Sequence, residues 1–181
     1  ELLPNYTLEK LMHGCFEEVG VPKCTAEELE YAAALKATYP PERDVPGIGA
    51  KFDVGIAKQV KALSENMTKP VYDFLMPQYS GEGFRPGSTD VGDVSWQTPT
   101  AQIEVAAWPA GVPGHSWQVV ACGKSSMAHK AMLCAGKVIA SAAIELLEQP
   151  ALLEKAKSEF KERSASGYVC PIEPDAVPIA L

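Results

Sequence analysis

The sequence is poor in the residues on which several large classes of protein depend. It has only three histidines, and its 16 lysines and arginines are outnumbered by 23 aspartates and glutamates, which gives a net charge of -7. Nucleic-acid binding needs clustered basic side chains to neutralise phosphates, and no basic stripe with interleaved aromatic residues is present. The acidic balance therefore argues against a nucleic-acid partner.

Long apolar runs are missing as well. The longest, 138–147, is interrupted by Ser141 and Glu145, whereas a transmembrane helix needs about 20 consecutive apolar residues. Residues 1–5 lack the basic segment and the apolar core of a signal peptide. We therefore expect no membrane partner.

Close spacings of cysteine and histidine are absent too. The five cysteines form no CxxC pair and the three histidines form no HxxxH pair, so no metal site contained wholly within the chain is predicted. Scattered cysteines, odd in number, favour reduced thiols in a cytoplasmic protein, where they serve as small apolar core residues. For Cys122, which precedes Gly123, a reactive thiol is the alternative, and burial is preferred. No Gly-x-Ser-x-Gly elbow marks a nucleophilic serine.

Helical periodicity is what the sequence contains in abundance. Apolar residues at helical spacing predict a first helix with Thr7 as its N-cap. Thr25 and Glu28 have the spacing of a capping box and predict a second helix after them. Weaker patterns predict a helix over 54–67 and a short helical turn that ends near Trp96.

The strongest helical pattern lies at 126–148. One broad apolar stripe suits packing on a sheet, and it comprises Ala128, Met132, Ala135, Ile139, Ala142 and Leu146. Pro150 fits the first position of a last amphipathic helix. We expect residues 1–163 to belong to the domain and residues 164–181 to form an extended tail.

Strands are scarce in the pattern. Apolar and polar residues alternate at 100–108, which predicts a strand, and 71–75 is a weaker candidate. The helices of an α/β domain pack on a sheet of several strands, so we expect the missing strands in sequence that precedes Glu1. The predicted fold class is α/β, helix-rich with few strands, as in one portion of a larger domain.

His115 is the histidine whose surroundings suggest chemistry. It follows the predicted strand and a turn-rich stretch from Pro109 to Gly114. A short rigid loop at a strand end can fix the ring direction that a metal ligand needs. An ordinary loop histidine is the alternative. His13 and His129 lie within predicted helices and are interpreted as helix-surface or boundary residues.

A second candidate site is the run Gly87-Ser88-Thr89-Asp90. Backbone N–H groups at a helix start, supported by hydroxyl groups, favour an anion such as a substrate carboxylate. Simple helix capping by the same residues is the alternative.

Together these two regions resemble the C-terminal catalytic segment of the M20 metallopeptidase family, and most of all its aminobenzoyl-glutamate branch. The motifs that carry the resemblance are Pro86-Gly-Ser-Thr-Asp-Val-Gly-Asp-Val-Ser-Trp96 and Gly114-His-Ser-Trp117. The likeness continues through Leu3-Pro-Asn-Tyr-Thr-Leu8, Thr25-Ala-Glu-Glu-Leu29 and Cys122-Gly-Lys-Ser-Ser-Met-Ala-His-Lys130.

The resemblance implies a zinc-peptidase-like catalytic domain, with helices packed on a mixed sheet, of which this chain is the C-terminal portion. It implies that His115 is the last ligand of a two-metal centre of zinc or manganese. It also implies that Gly87, Ser88 and Thr89 line the substrate pocket, and that Asp90 orients the turn or the ligand loop through hydrogen bonds. The implied substrates are N-acyl amino acids, with aroyl-glutamates first.

Several parts of the family pattern have no counterpart here. The other metal ligands come from a His-x-Asp motif, a Glu-Glu pair and a further histidine, and the family also has an inserted dimerisation domain. The resemblance therefore implies no catalytic residue in this chain, a general-base glutamate upstream of it, and a fragment that is inactive and metal-free alone. Its implied partners are the rest of the catalytic domain and an A-type subunit or a second copy. The alternative function is a non-catalytic α/β interaction or scaffold module of a hetero-oligomer.

Overall fold

The computed structural model describes residues 1–40, 54–79, 87 and 89–177, and the regular secondary structure in these ranges is entirely helical. The helices are α1 (Tyr6–Val19), α2 (Ala26–Lys36), α3 (Val54–Glu65), α4 (Val91–Ser95), α5 (Trp117–Cys122), α6 (Ser126–Glu148) and α7 (Pro150–Arg163), followed by a 3-10 turn at Ser164–Ser166. Every predicted helix is confirmed, and α5 has no counterpart among the predictions. None of these helices combines the length and the apolar character needed to cross a bilayer.

The strands predicted at 71–75 and 100–108 are not formed. A strand needs a neighbouring strand for its backbone hydrogen bonds, and the described ranges contain no such pairing. Both segments still lie against the helices, since Leu75, Ile103 and Val105 pack on the core between α1 and α6. The alternation of half-buried and exposed residues at 101–105 therefore reflects packing on one side only. The strand prediction is wrong for these residues, and the helix-rich part of the fold prediction is confirmed.

The first helix begins at Asn5 and not at the predicted N-cap, Thr7. The Asn5 side chain accepts a hydrogen bond from the Leu8 N–H at 3.0 Å and donates one to the Ala156 carbonyl at 2.8 Å. Thr7 instead donates from its backbone N–H and its hydroxyl to the Glu159 carboxylate of α7, at 2.9 and 2.7 Å. The N-cap prediction is wrong because Asn5 caps α1, which leaves Thr7 inside the first turn, where its two donors contact α7.

Two apolar clusters form the core. The first joins α1 to α6 and consists of Cys15, Phe16, Cys134, Val138 and Ala142, and α7 packs against both of these helices. The second joins α2 to α5 and to the start of α6, and consists of Ala32, Leu35, Val71, Cys122 and Met127.

The cysteines are free thiols, as predicted. Cys15, Cys122 and Cys134 are buried and Cys24 is half-buried, whereas Cys170 is exposed. Burial raises the pKa of the three buried thiols, so their reactive thiolate form is disfavoured. The structure therefore supports burial over reactivity for Cys122, and the core role predicted for all five cysteines is wrong for Cys170.

The central helix, α6, buries a different face from the predicted stripe. Its buried residues are Met127, Ala131, Cys134, Val138 and Ala142. Of the predicted stripe only Ala142 is buried, while Met132 and Ile139 are 64% and 52% exposed. The prediction failed because α6 is apolar around most of its circumference, so its sequence pattern does not single out one buried face.

The buried carboxylate of Glu28 links the start of α2 to the start of α6. It accepts hydrogen bonds from the Thr25 N–H at 2.7 Å, the Ser126 hydroxyl at 2.6 Å and the Lys130 ammonium at 2.7 Å. The predicted capping box is confirmed, and Ser126 and Lys130 extend it to another helix. The hydrogen bond from Lys130, followed by that from Ser126, lowers the pKa of Glu28 from 4.5 to about 2.

Replacing this carboxylate tests its contribution to stability. Glu28→Gln should lower the free energy of unfolding by about 1–3 kcal/mol, because the half-buried Lys130 ammonium loses its counter-charge. Glu27→Gln, on the same turn but exposed, is the matched control and should change it by less than about 0.5 kcal/mol. Urea unfolding at pH 7 measures both, and equal losses would contradict the assigned role.

The low pKa of Glu28 also determines how the free energy of unfolding changes with pH. Its folded-state pKa, about 2, lies below the value of 4.5 expected without its partners, so its stabilisation is complete above pH 4.5 and is lost as the pH falls towards 2. In Glu28→Gln this part of the pH dependence should be absent, as urea midpoints between pH 5 and pH 2 would reveal.

Candidate functional site

His115 is placed in a strained loop directly before α5. Its φ is 55°, which makes it the one non-glycine residue with a positive φ among those the structure describes. The left-handed conformation costs a side-chain-bearing residue about 1–2 kcal/mol, and such strain persists only where the surroundings enforce it. The ring is exposed. Ser116 then caps α5 by accepting a hydrogen bond from the Val119 N–H at 3.5 Å.

The chain that leads into this loop is fixed at Ala110. The Ala110 carbonyl accepts a hydrogen bond from the Tyr39 hydroxyl at 2.9 Å, and the Ala110 N–H donates to the Pro70 carbonyl at 2.8 Å. Pro109 is fully buried and Ala110 is 2% exposed. The loop therefore begins at Ala110, a buried residue that is held by two hydrogen bonds.

The chain that follows the loop is fixed at Gln118, whose amide donates to the Thr38 hydroxyl oxygen at 3.0 Å. Farther along α5, beyond this anchor, the Tyr31 hydroxyl donates to the Ala121 carbonyl at 3.0 Å. His115 thus lies on a short exposed span between two anchored residues, Ala110 and Gln118. Sequence analysis did not identify Tyr39 and Gln118, because their partners are far away in the chain and no local pattern marks them.

Among the residues that the structure describes, the metal-ligating group of this loop is the imidazole of His115. Within the described ranges no three or more His, Cys, Asp or Glu side chains are grouped so as to hold a metal ion, and no hydrogen bond or ion pair joins the His115 ring to another described residue. An exposed, unengaged imidazole on an anchored loop fits one ligand of a site that other groups complete.

The other two histidines occupy helices, as expected. The ring of His13 lies 2.9 Å (Nε2) from the Met76 carbonyl oxygen, which makes it a boundary residue between α1 and the segment after α3. His129 is exposed on the first turn of α6.

The predicted substrate turn is exposed where it can be described. Gly87 has a φ of 151°, in the region that favours glycine, and Thr89 and Asp90 are both exposed. Ser88 lies outside the described residues. The Thr89 hydroxyl accepts a hydrogen bond from the Val91 N–H at 3.3 Å, while the Asp90 side chain makes no capping hydrogen bond to α4. Helix capping is therefore carried by Thr89, and the orienting role of Asp90 stays a prediction.

Both ends of the chain hold the short helix that follows this turn. The Leu3 N–H donates to the buried Ser95 hydroxyl at 2.9 Å, and the Trp96 indole donates to the Glu1 carbonyl at 3.0 Å. From the tail, the Tyr168 hydroxyl donates to Asp93 and the Tyr168 ring lies 6.1 Å from that of Trp96. Among the described residues, no hydrogen bond or ion pair connects this region directly to His115.

The strain at His115 gives a direct test of its backbone conformation. His115→Gly should be more stable than His115→Ala by about 1 kcal/mol, because only glycine adopts a φ of 55° without cost. At exposed Lys124, where φ is not positive, the order should reverse, with alanine the more stable replacement. Urea unfolding of the four variants measures both differences; the same order at both positions would count against the strained conformation.

Similarity to a known protein covers almost the whole chain. It is 33% identical to one subunit of the p-aminobenzoyl-glutamate hydrolase of Escherichia coli (strain K12) over 183 aligned residues, which include 99% of this chain and 37% of the relative. The chain thus spans less than two fifths of that relative's length. No family model matches the chain, and no solved structure matches it. This similarity confirms the resemblance to a p-aminobenzoyl-glutamate hydrolase subunit.

Proposed function

We propose that this chain is the C-terminal portion of a metal-dependent amidohydrolase of the M20 type, which cleaves the amide bond of N-acyl amino acids such as p-aminobenzoyl-glutamate. The observation that carries the proposal is the 33% identity to a p-aminobenzoyl-glutamate hydrolase subunit along nearly the whole chain. In this proposal the chain provides one ligand and one substrate-facing turn to an active site that other residues complete.

The proposed role of His115 is to donate one imidazole nitrogen to a zinc or manganese ion of a two-metal centre. Such ions, when bound, polarise a scissile carbonyl and lower the pKa of water. The exposed ring and the anchored loop support this role, because a ligand must point in a fixed direction without paying an ordering cost at each binding event. Neutral imidazole suits zinc, and it is accepted by several other divalent ions.

The proposed role of the turn at 87–90 is to face the carboxylate of the substrate's amino-acid part. Exposed Gly87 and Thr89 leave the turn accessible, and the positive φ of Gly87 turns the backbone in a way open to few other residues. Ser88 belongs to the same proposal, and Asp90 is proposed to orient the turn.

Loss of the ligand is the direct test of this function. In the full-length hydrolase, His115→Ala should lower the rate of p-aminobenzoate release from p-aminobenzoyl-glutamate by at least about 100-fold and should reduce the bound metal. His129→Ala, an exposed helix histidine, is the matched control and should leave both unchanged. Metal content is measured by mass spectrometry of the purified protein. Full activity in His115→Ala would favour the alternative, a non-catalytic scaffold module.

We further propose that the chain completes an α/β catalytic domain by packing the outer face of α6 on a sheet. Five large apolar side chains of α6 are more than half exposed, namely Met132, Leu133, Ile139, Ile144 and Leu147. A helix that is apolar nearly all round is usually buried on more than one side. The rest of the catalytic domain is the partner that this proposal assigns to the face.

The outer face of α6 can be tested by comparing a substitution at an exposed apolar position with one at an exposed charged position of the same helix. In the full-length protein, Ile139→Gln should lower the free energy of unfolding by about 1.5–3 kcal/mol if the face is covered. Lys137→Gln, at an exposed charged position of the same helix, should change it by less than about 0.5 kcal/mol. Similar small effects at both positions would contradict a covered face.

The last part of the proposal concerns subunit assembly and the cellular location of the protein. The relative is named as one subunit of a hydrolase, and we propose that the protein likewise assembles with an A-type subunit or a second copy. Its five free thiols suit a reducing compartment, so we propose a cytoplasmic location.

A further inference from the structure

The loop that carries His115 is held on both sides by one pair of adjacent residues, Thr38 and Tyr39, just beyond α2. On the upstream side, the Tyr39 hydroxyl donates to the Ala110 carbonyl at 2.9 Å. On the downstream side, the Thr38 hydroxyl oxygen accepts from the Gln118 amide at 3.0 Å. We call Thr38 and Tyr39 the α2 brace.

The direction of each hydrogen bond in the brace is determined. The Thr38 hydroxyl donates its proton to the Leu35 carbonyl at 2.7 Å, so the oxygen can only accept from Gln118. Tyr39, Ala110 and Gln118 are 9%, 2% and 6% exposed, so water competes little for the bond between Tyr39 and Ala110. Thr38 is exposed, and its bond with Gln118 is partly buried. Together the two hydrogen bonds fix the separation between the two ends of an exposed loop.

The loop needs such a constraint because its central residue is strained. His115 has a φ of 55°, and a residue with a Cβ relaxes from that conformation unless the flanking chain prevents it. The backbone at His115 sets the direction of its Cα–Cβ bond. The two ends of the brace therefore control where the loop presents the ring.

We propose that Thr38 and Tyr39 are positioning residues for His115, holding its imidazole in the direction that a metal ligand requires. This inference rests on the proposed function, since it takes His115 to be a ligand. Neither residue is expected to touch metal or substrate. Groups that orient a ligand commonly change metal affinity by about 10- to 100-fold when they are removed.

The experiment uses shape-conserving variants of the full-length hydrolase. Tyr39→Phe removes the hydroxyl that bonds to Ala110. Thr38→Val removes the hydroxyl that accepts from Gln118 and also donates to Leu35. Tyr31→Phe is the matched control, because it removes a tyrosine hydroxyl that also donates to a carbonyl, at Ala121 in the last turn of α5. For each variant, the Zn²⁺ dissociation constant is measured by chelator competition, and kcat and KM are measured with p-aminobenzoyl-glutamate.

Both brace variants should weaken Zn²⁺ binding by about 10-fold and lower kcat more than they raise KM, whereas Tyr31→Phe should bind Zn²⁺ as the unaltered enzyme does. Unaltered Zn²⁺ affinity in both brace variants would overturn the inference. So would an equal loss in Tyr31→Phe, or a loss matching the fall in the unfolding midpoint of the metal-free protein. His115→Ala distinguishes failure of the proposed function from failure of this inference. If His115→Ala retains its metal, the proposed function fails. If it loses metal while the brace variants do not, only the inference about Thr38 and Tyr39 fails.

Discussion

The position of α2 depends on one buried carboxylate, that of Glu28, and much of the functional region depends on α2. Three donors, from Thr25, Ser126 and Lys130, saturate this carboxylate and tie the start of α2 to the start of α6. A charge that is 7% exposed is tolerable only when it is so fully paired. Because α2 is rigid along its length, the same attachment sets the place of its other end, where Thr38 and Tyr39 meet the loop of His115.

The second organising element is α6, which has two apolar sides. One side packs on α1 and α2 and closes both core clusters, and the other carries large exposed residues such as Met132 and Ile139. The clusters include several small side chains, namely Ala32, Cys122, Cys134 and Ala142, and small side chains permit close packing of helices. The inner side of α6 therefore holds the other helices together, and its outer side is suited to packing against a further layer of structure.

The strain at His115 and the hydrogen bonds around it belong to one arrangement. A left-handed histidine in a free loop would relax, since nothing would repay its conformational cost. Here Ala110 is fixed by Tyr39 and Pro70, and Gln118 is fixed by Thr38. The left-handed backbone at His115 is unfavourable for stability, and it presents an exposed imidazole, which suits binding. This contrast is what gives the residue a claim beyond that of an ordinary loop histidine.

The sequence by itself determined the local features of this protein: the helix over 126–148, the capping box at Thr25 and Glu28, the helix that begins at Pro150, and the selection of His115. Each of these depends on neighbours within a few residues, where spacing and capping chemistry suffice. Only the tertiary structure decided which face of α6 is buried, that Asn5 replaces Thr7 as the cap of α1, and that 71–75 and 100–108 pack without pairing as strands. It alone revealed Tyr39 and Gln118 as anchors. The contacts of Thr7, Tyr39 and Gln118 join residues that lie 152, 71 and 80 positions apart. A periodic pattern shows that a residue is apolar or polar without showing which residue it contacts.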